Sequence, residues 1–315
     1  MARGMISTGR RTTADFIINM IARTVLGGAG LLPYRWRVPL AGWIVTTFVA
    51  PVAGYSKRTR ENLTHVMPEL PKAEVNRLVR AVSDNAGRTL AEIYSGEEFI
   101  RQFAQAEMTG PGVAALEEAH ANQRAAMLVT GHFGNYDAPR SALIAKGFNV
   151  GALYREMNNA YFNDHYVAAI SKIGEPVFPR GRKGLTGVLK FLRSGGMMGI
   201  ATDQYVQNGA DLTFFGKLAP TAVSAAELAI KYDALILPIY GIRQPDGLSF
   251  EIRVEAPIPH TDPKTMTQAL NDSLEAQVRE HMGQWFWLHR RWKPEIADSR
   301  QSRRAAAKIG PHTPS

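Results

Sequence analysis

The stretch Ala125-Ala126-Met127-Leu128-Val129-Thr130-Gly131-His132-Phe133-Gly134-Asn135-Tyr136-Asp137 carries the reading of the whole chain. Its first five residues are an apolar run of strand length, as expected for a strand buried on both faces. The residues after it can turn into a helix, with Asn135 as a candidate N-cap and Asp137 in the first turn, where negative charge is favoured. His132 and Asp137 are five positions apart, which on one continuous helix would point them about 140° away from each other. They meet only if His132 ends the strand, Phe133-Gly134-Asn135 makes the turn and Asp137 opens the helix. A histidine held by a carboxylate at a strand's carboxyl end is a candidate general base. A capped turn whose histidine merely packs has the same spacing, so spacing alone leaves both readings open.

Working outward, strands and helices alternate. Upstream, Arg58–Met67 and Pro71–Ile93 read as polar-faced helices, the second with a stripe of Val75, Leu78, Val79 and Val82 at helical spacing. Gly110–Arg124 reads as a helix that delivers the chain to the strand before His132. Downstream, Val150–Tyr154, Glu175–Phe178, Met197–Thr202, Leu235–Tyr240 and Leu248–Glu255 read as strands. Asn158–Ile173, Arg182–Arg193, Ala219–Tyr232 and Pro263–Met282 read as helices, the last with Asp262 as N-cap and Pro263 at its first position. The pattern predicts an α/β fold: a mostly parallel central sheet flanked by helices, with an N-terminal membrane-associating helical segment. In such a sheet, ligands bind beyond the carboxyl ends of the strands. His132, Asp137, Arg155, the cluster Arg180-Gly181-Arg182-Lys183 and Asp203 all stand where that rule places a site.

The boundaries expected are 1–56 for the membrane-associating segment, 57–299 for the α/β domain and 300–315 for a basic, disordered tail. Val38–Ser56 is nineteen residues without a charge, but Pro39, Gly42, Pro51 and Gly54 interrupt it. With Trp36, Trp43 and flanking arginines, it reads as an interfacial anchor, ahead of a true span or a buried hairpin. A signal peptide is not expected, since no small-residue cleavage site stands after a short apolar core. The chain of 315 residues has 37 Lys+Arg against 28 Asp+Glu, a net charge of +9 that suits an acidic partner. It has no cysteine, which excludes disulfides, thiolate metal sites and cysteine nucleophiles.

Several chemistries lack their motifs. There is no Gly-x-Ser-x-Gly elbow, no Walker loop and no glycine-rich dinucleotide turn after a strand. The other histidines, His289 among them, are scattered without metal-ligand spacing and are expected to be core, capping or surface residues. What remains is base chemistry without a covalent intermediate: His132 deprotonates a hydroxyl, Asp137 orients it, and the electrophile arrives activated, as in an acyl thioester. Backbone amides at Gly134 and Asn135 are candidates to bind the developing oxyanion, with Arg155 competing for that task or for a phosphate. Arg180 and Arg182 are phosphate candidates in a cluster that a solvated surface would equally explain.

With these residues assembled, the chain resembles the bacterial lipid A biosynthesis acyltransferases, the late (lauroyl/myristoyl-type) branch of the lysophospholipid acyltransferase superfamily. The resemblance runs from about Tyr55 to Lys293. It rests on Arg60-Glu61-Asn62-Leu63, the His132 to Asp137 stretch, Tyr154-Arg155 with Asn158-Asn159, Asp203-Gln204, Phe214-Phe215-Gly216 with Pro220-Thr221, and Trp287-Leu288-His289-Arg290-Arg291-Trp292-Lys293. It implies transfer of a fatty acyl chain from acyl carrier protein to a hydroxyl of a lipid A precursor, at the cytoplasmic face of the inner membrane. No cofactor, metal or nucleic acid is implied. It implies His132 and Asp137 as the catalytic pair, although the branch usually carries glutamate where this chain has Asp137. Arg155, Arg180 and Arg182 correspond to positions expected to meet phosphate or donor, and Asp203 to one that steadies a loop or binds substrate. The alternatives are a relative acylating a lysophospholipid, a mannosylated phosphoinositide or another glycolipid, and a basic membrane-bound protein without enzymatic activity.

Overall fold

A computed structural model describes residues 12–157 and 159–293; the basic tail expected at 300–315 and the Asn158 helix start lie outside the described residues. The described residues open with α1 (Thr13–Gly30), α2 (Tyr34–Ile44), a π-helical turn (Val45–Val49), α3 (Ala50–Val52), α4 (Tyr55–Val66), α5 (Lys72–Ile93) and α6 (Glu97–Ala104). Then come β1 (Glu107–Thr109), α7 (Val113–Ala121), β2 (Ala126–Thr130), α8 (Ala138–Ala145), β3 (Val150–Tyr154), α9 (Ala160–Ile173), β4 (Val177–Pro179), α10 (Arg182–Arg193) and β5 (Met197–Ala201). A small hairpin of β6 (Thr213–Phe214) and β7 (Lys217–Leu218) precedes α11 (Ser224–Lys231), β8 (Leu235–Arg243), β9 (Phe250–Val254), α12 (Pro263–Glu280) and a 3₁₀ turn (Met282–Gln284).

The main sheet has the order β1-β9-β8-β2-β5-β3-β4. All its pairings are parallel except β8 with β9, which are joined by a turn where Asp246 Oδ1 accepts the amides of Leu248 and Ser249, both at 2.9 Å. The apolar run before His132 is β2, and it is central: Leu128 faces Gly199 of β5 on one side and Leu237 of β8 on the other. Its alternation sorts the two cores. Ala126 and Leu128 enter the cluster beneath α6, α7, α8 and α9, while Ala125, Met127 and Val129 enter the one beneath α10, α11 and α12. A third cluster joins α4 and α5 to the C-terminal aromatics Trp285, Trp287 and Trp292 with Phe133, Phe214 and Phe215. Because β2, β3, β4 and β5 run parallel, the turns after them share one edge of the sheet.

The helix α6 and strand β1 are absent from the sequence reading. β1 is three residues long with no fully buried position, too short to carry a period, and gains its place by pairing parallel to β9. α12 begins as expected, with the Asp262 side chain accepting the amides of Lys264 and Thr265.

At the N-terminal end, α2 lies directly on α5. Gly42 and Gly87 make this crossing possible: a Cβ on Gly87 would stand 2.5 Å from the Ala41 carbonyl oxygen, and one on Gly42 would strike Asp84. Arg37, one of the arginines expected to flank the anchor, is instead buried against α6, paired with Glu98 and Ser95. The chain bends at Gly54, which takes φ +71° before α4. No single helix among the described residues is long and apolar enough to cross a membrane; Tyr34–Val52 and Tyr55–Val66 pass that test only together, bent by 83°. Trp36, Trp43, Phe48 and Val52 project from this arm at 60%, 54%, 58% and 89% exposure.

Alanine normally stabilises a helix interior by about 1 kcal/mol over glycine. Gly87→Ala is expected to reverse that sign, because the added methyl meets backbone that cannot retreat; overpacking of this kind costs about 1–3 kcal/mol. Chemical denaturation of the variant measures it, and a more stable Gly87→Ala protein would show that α2 does not rest on α5.

Candidate active site

The turn after β2 is held by backbone and buried side chains on every side. Gly134, at φ +53°, packs so tightly that a Cβ would land on the Gly241 carbonyl of β8. Its own carbonyl accepts from Asn85 and Thr89 of α5, both at 2.9 Å. The Gly134 amide donates to the Gln284 carbonyl at 2.9 Å, and the Asn135 amide to the Gly241 carbonyl at 3.2 Å. Asn135 is fully buried; its side chain donates to Glu92 and accepts the Asp137 amide at 3.0 Å. Glu92 is in turn ion-paired with Arg243 in the interior. The oxyanion role expected of the Gly134 and Asn135 amides is therefore corrected: both donors are spent on the fold.

His132 stands two residues beyond the end of β2, and its carboxylate partner is not the one expected. Strand register explains this. Thr130 is paired with Ala201 of β5, so two residues further on His132 comes opposite Asp203. His132 Nδ1 bonds Asp203 Oδ1 at 2.8 Å, and the His132 amide donates to Asp203 Oδ2 at 2.8 Å. Trp285 Nε1 adds a third donor to the carboxylate, also at Oδ2, at 2.9 Å. Asp137 is bonded elsewhere: it stands at the N-cap position of α8, and its carboxylate accepts from Arg140 Nε at 2.9 Å and not from the helix amides. Arg140 then donates to the carbonyls of Ile170 and Gly174 at the end of α9, at 2.9 and 2.8 Å. The expectation that Asp137 orients the imidazole is corrected accordingly. Asp137 holds the Arg140 that ties α8 to α9, and its charge also favours the charged form of His132.

These contacts set the protonation balance. Burial opposes charging of the His132 ring, but the charge and hydrogen bond of Asp203, reinforced by Asp137, outweigh it and raise the imidazole pKa. Burial pushes the Asp203 carboxyl up, yet His132, its hydrogen bonds and His289 hold it well below the usual carboxylate range. With Nδ1 on the carboxylate, Nε2 is the basic nitrogen of neutral His132. His289 meets His132 edge to face, with ring centroids 4.6 Å apart. Burial, then the charge of His132, lowers its pKa to about 3, so it stays neutral. Its neighbour Arg291 is fully buried and donates to the Gln204 and Pro220 carbonyls and to Thr221 Oγ1, fixing the loop after Asp203. Sequence reasoning set His289 aside as scattered; its proximity comes from the loop after α12 folding back over the sheet edge.

His132, Asp203 and His289 each offer a ligand atom within 4.8 Å of the others. Asp203, however, already accepts three protein donors through its two oxygens, the donor set of a hydrogen-bonded base and not of a metal cage.

His132 opens onto a cavity of about 390 Å³. Its walls are Leu128, Leu143, Val150, Tyr166, Ile170 and Ile239, which gives an apolar interior between the sheet, α8 and α9. Arg155 and Arg180 also line it. They too meet by register: Tyr154 is paired with Pro179, and the Arg180 amide donates to the Tyr154 carbonyl at 2.8 Å. Arg182 is exposed at the start of α10 and is not part of the cavity wall. Tyr136 and Tyr166 share a hydrogen bond beside the cavity, and burial, then Asp137, raises Tyr166 to about 12, so both phenols stay protonated. The arrangement combines a carboxylate-held base, an apolar chamber and guanidinium groups at one opening.

The family model described as bacterial lipid A biosynthesis acyltransferase matches residues 7–294. A lipid A biosynthesis acyltransferase 2 of Shigella flexneri is 23% identical over 285 residues, covering 87% of each chain. The lipid A biosynthesis lauroyltransferase of Escherichia coli K12 is 23% identical over 257 residues, 78% of this chain and 82% of that one. A phosphatidylinositol mannoside acyltransferase of Mycobacterium tuberculosis is 22% identical over 258 residues, 79% and 81% of the two chains.

The His132–Asp203 pair predicts two opposite pH trends in stability. The depressed Asp203 carboxyl stabilises the fold above about pH 3.9, its unfolded value, and this is lost as pH falls through the folded value. The raised His132 stabilises below about pH 6.5 and this is lost as pH rises through its folded pKa. Histidine-resolved NMR titration is expected to place the His132 midpoint above about 6.5, the ordinary value. In Asp203→Asn, burial is left dominant and the midpoint is expected to fall below it; an unmoved midpoint would mean that Asp203 does not govern the ring.

Proposed function

Because the chain belongs to the bacterial lipid A biosynthesis acyltransferases and is an acyltransferase, we propose that it transfers a fatty acyl chain from acyl carrier protein to a hydroxyl of a lipid A precursor. The observation that carries the reading is the imidazole of His132, fixed by a buried carboxylate at the opening of an apolar chamber. His132 Nε2 takes the proton of the acceptor hydroxyl as its oxygen attacks the thioester carbonyl. Collapse of the tetrahedral intermediate expels the carrier's thiolate, which receives that proton from the imidazolium. Asp203 holds the tautomer and stabilises the transient charge; proton transfer by the base it positions is worth about 10²–10⁴-fold. No side chain is acylated and no cofactor takes part.

Arg155 and Arg180 supply the cationic side of the opening, suited to a phosphate of the acceptor or to the carbonyl oxygen as it gains charge. The hydrocarbon occupies the chamber walled by Leu128, Leu143, Val150 and Ile170. A net charge of +9 suits an acidic carrier protein and a phosphorylated lipid. On this reading the enzyme sits on the inner membrane at its cytoplasmic face; the exposed Trp36, Trp43, Phe48 and Val52 support a bent arm lying in a membrane interface. A second reading, a mannosylated phosphoinositide as acceptor, is favoured by the likeness to the mycobacterial enzyme.

A panel of acceptors with an acyl-carrier-protein donor separates these readings. Acylation of the lipid A precursor is expected; acylation of the mannosylated lipid alone selects the second reading, and acylation of glycerolipid alone defeats both. His132→Ala is expected to lower turnover by about 10²–10⁴-fold with the fold intact. Asp203→Asn is expected to approach that loss and to shift the rising limb of the pH–rate profile downward, since neutral His132 is the active form. Asp137→Asn is expected to retain far more turnover but to cost about 3–5 kcal/mol of stability, as buried Arg140 loses its partner. Full loss of turnover in a stable Asp137→Asn protein would return the orienting role to Asp137.

A further inference from the structure

A second recess lies apart from the catalytic cavity and shares no residue with it. It has a volume of about 540 Å³ and lies between the arms of the 83° bend and α5. The π turn contributes Thr46 and Thr47, α4 contributes Ser56 and Arg60, and α5 contributes Asn76 and Arg80.

Its charges are not neutralised from within. Arg60 bonds the side-chain oxygen of Asn76, a neutral group. The carboxylates nearby are engaged by other cations: Glu61 with Lys57, Glu74 with Arg77 and Asp84 with Arg88. Among the described residues neither Arg60 nor Arg80 has a carboxylate partner. The hydroxyl-bearing Thr47 and Ser56 line the same recess and offer donors to a bound anion. Ser56 lies in the first turn of α4, where Gly54 supplies no side-chain cap and the helix end favours negative charge. Two guanidinium groups, hydroxyls and a helix start together select an anion with several acceptor oxygens. The same arm carries the exposed Trp43, Phe48 and Val52. A lipid offers both a charged head suited to the recess and hydrocarbon suited to the apolar arm.

We propose that this recess binds the phosphate headgroup of an anionic membrane lipid and so sets how the enzyme lies on the bilayer. The inference rests on the membrane-surface reading above, but not on the reaction. α4 presents Ser56 and Arg60 to the recess, while Arg58 and Asn62 donate from its other side to the carbonyls of Leu288, Trp287 and His289. A lipid held at the recess is thus held by the helix that supports the segment packed on His132.

Flotation of the full-length protein with vesicles tests it. The probes are phosphatidylcholine alone, an equimolar mixture with phosphatidic acid, and a mixture with oleate at matched negative charge. Tightest binding to the phosphatidic acid vesicles is expected. The double variant Arg60→Ala/Arg80→Ala is expected to lose at least about tenfold of that affinity, given the usual contribution of a cation at an anionic surface. Lys57→Ala/Lys72→Ala removes the same charge outside the recess and is expected to stay within about threefold. Ser56→Ala, which leaves the charge untouched, is expected to weaken phosphatidic acid binding and not oleate binding. Equal losses in the two double variants, or equal binding to oleate and phosphatidic acid, would overturn the headgroup site. Displacement of the vesicles by inorganic phosphate at matched concentration would assign the recess to a soluble anion and overturn it too. A protein that binds no vesicle of any kind instead overturns the membrane reading. His132→Ala is expected to float as the native protein does, which separates this site from the fate of the proposed reaction.

Discussion

The molecule depends on the parallel pairing of β2 with β5. That single register places His132 opposite Asp203, and the two then bond through both ring and backbone. A parallel sheet aligns the ends of neighbouring strands without any contact between the residues beyond them, so a catalytic pair can come from positions 71 apart in sequence. The same logic repeats one strand over, where β3 and β4 bring Arg155 and Arg180 to neighbouring positions. The site is thus a property of the sheet before it is a property of any loop.

Around that pair, rigidity comes from two networks of buried polar groups. Asn135, Glu92, Arg243, Asn85 and Thr89 link the turn after β2 to α5 and β8. Arg140 links α8 to the end of α9 through one carboxylate and two carbonyls. Each of these charges is expensive to bury alone and tolerable in company, so the networks fix the arrangement more than they add stability. The imidazole is held in one orientation because its surroundings have few others available.

Much of this was legible in the residues. The alternation of strands and helices announced the parallel sheet, and the order of His132, Arg155, Arg180 and Asp203 at strand ends announced the edge that carries the site. The partner of His132 was not legible, because a local spacing says which residues come after a strand, whereas the pairing depends on which strand lies beside it. Asp137 was the nearest acid in sequence; Asp203 is the nearest in space. The amides of Gly134 and Asn135 looked available because their acceptors, Gln284 and Gly241, lie more than a hundred residues downstream. His289 and Trp285 escaped for the same reason, since nothing local marks a C-terminal loop that returns to β2.

That return has a consequence for how the protein comes into being. Asn62 closes on the carbonyl of Trp287 across 225 residues, and Asp203 waits for Trp285 across 82. Contacts so distant form late, because the chain between them must be ordered first. A nascent chain can emerge with His132, β2 and β5 complete while Trp285 and His289, which enclose the pair, are still more than eighty residues from synthesis. The enclosed site is therefore a late product of folding, withheld until the segment of Trp285 and His289 has been made.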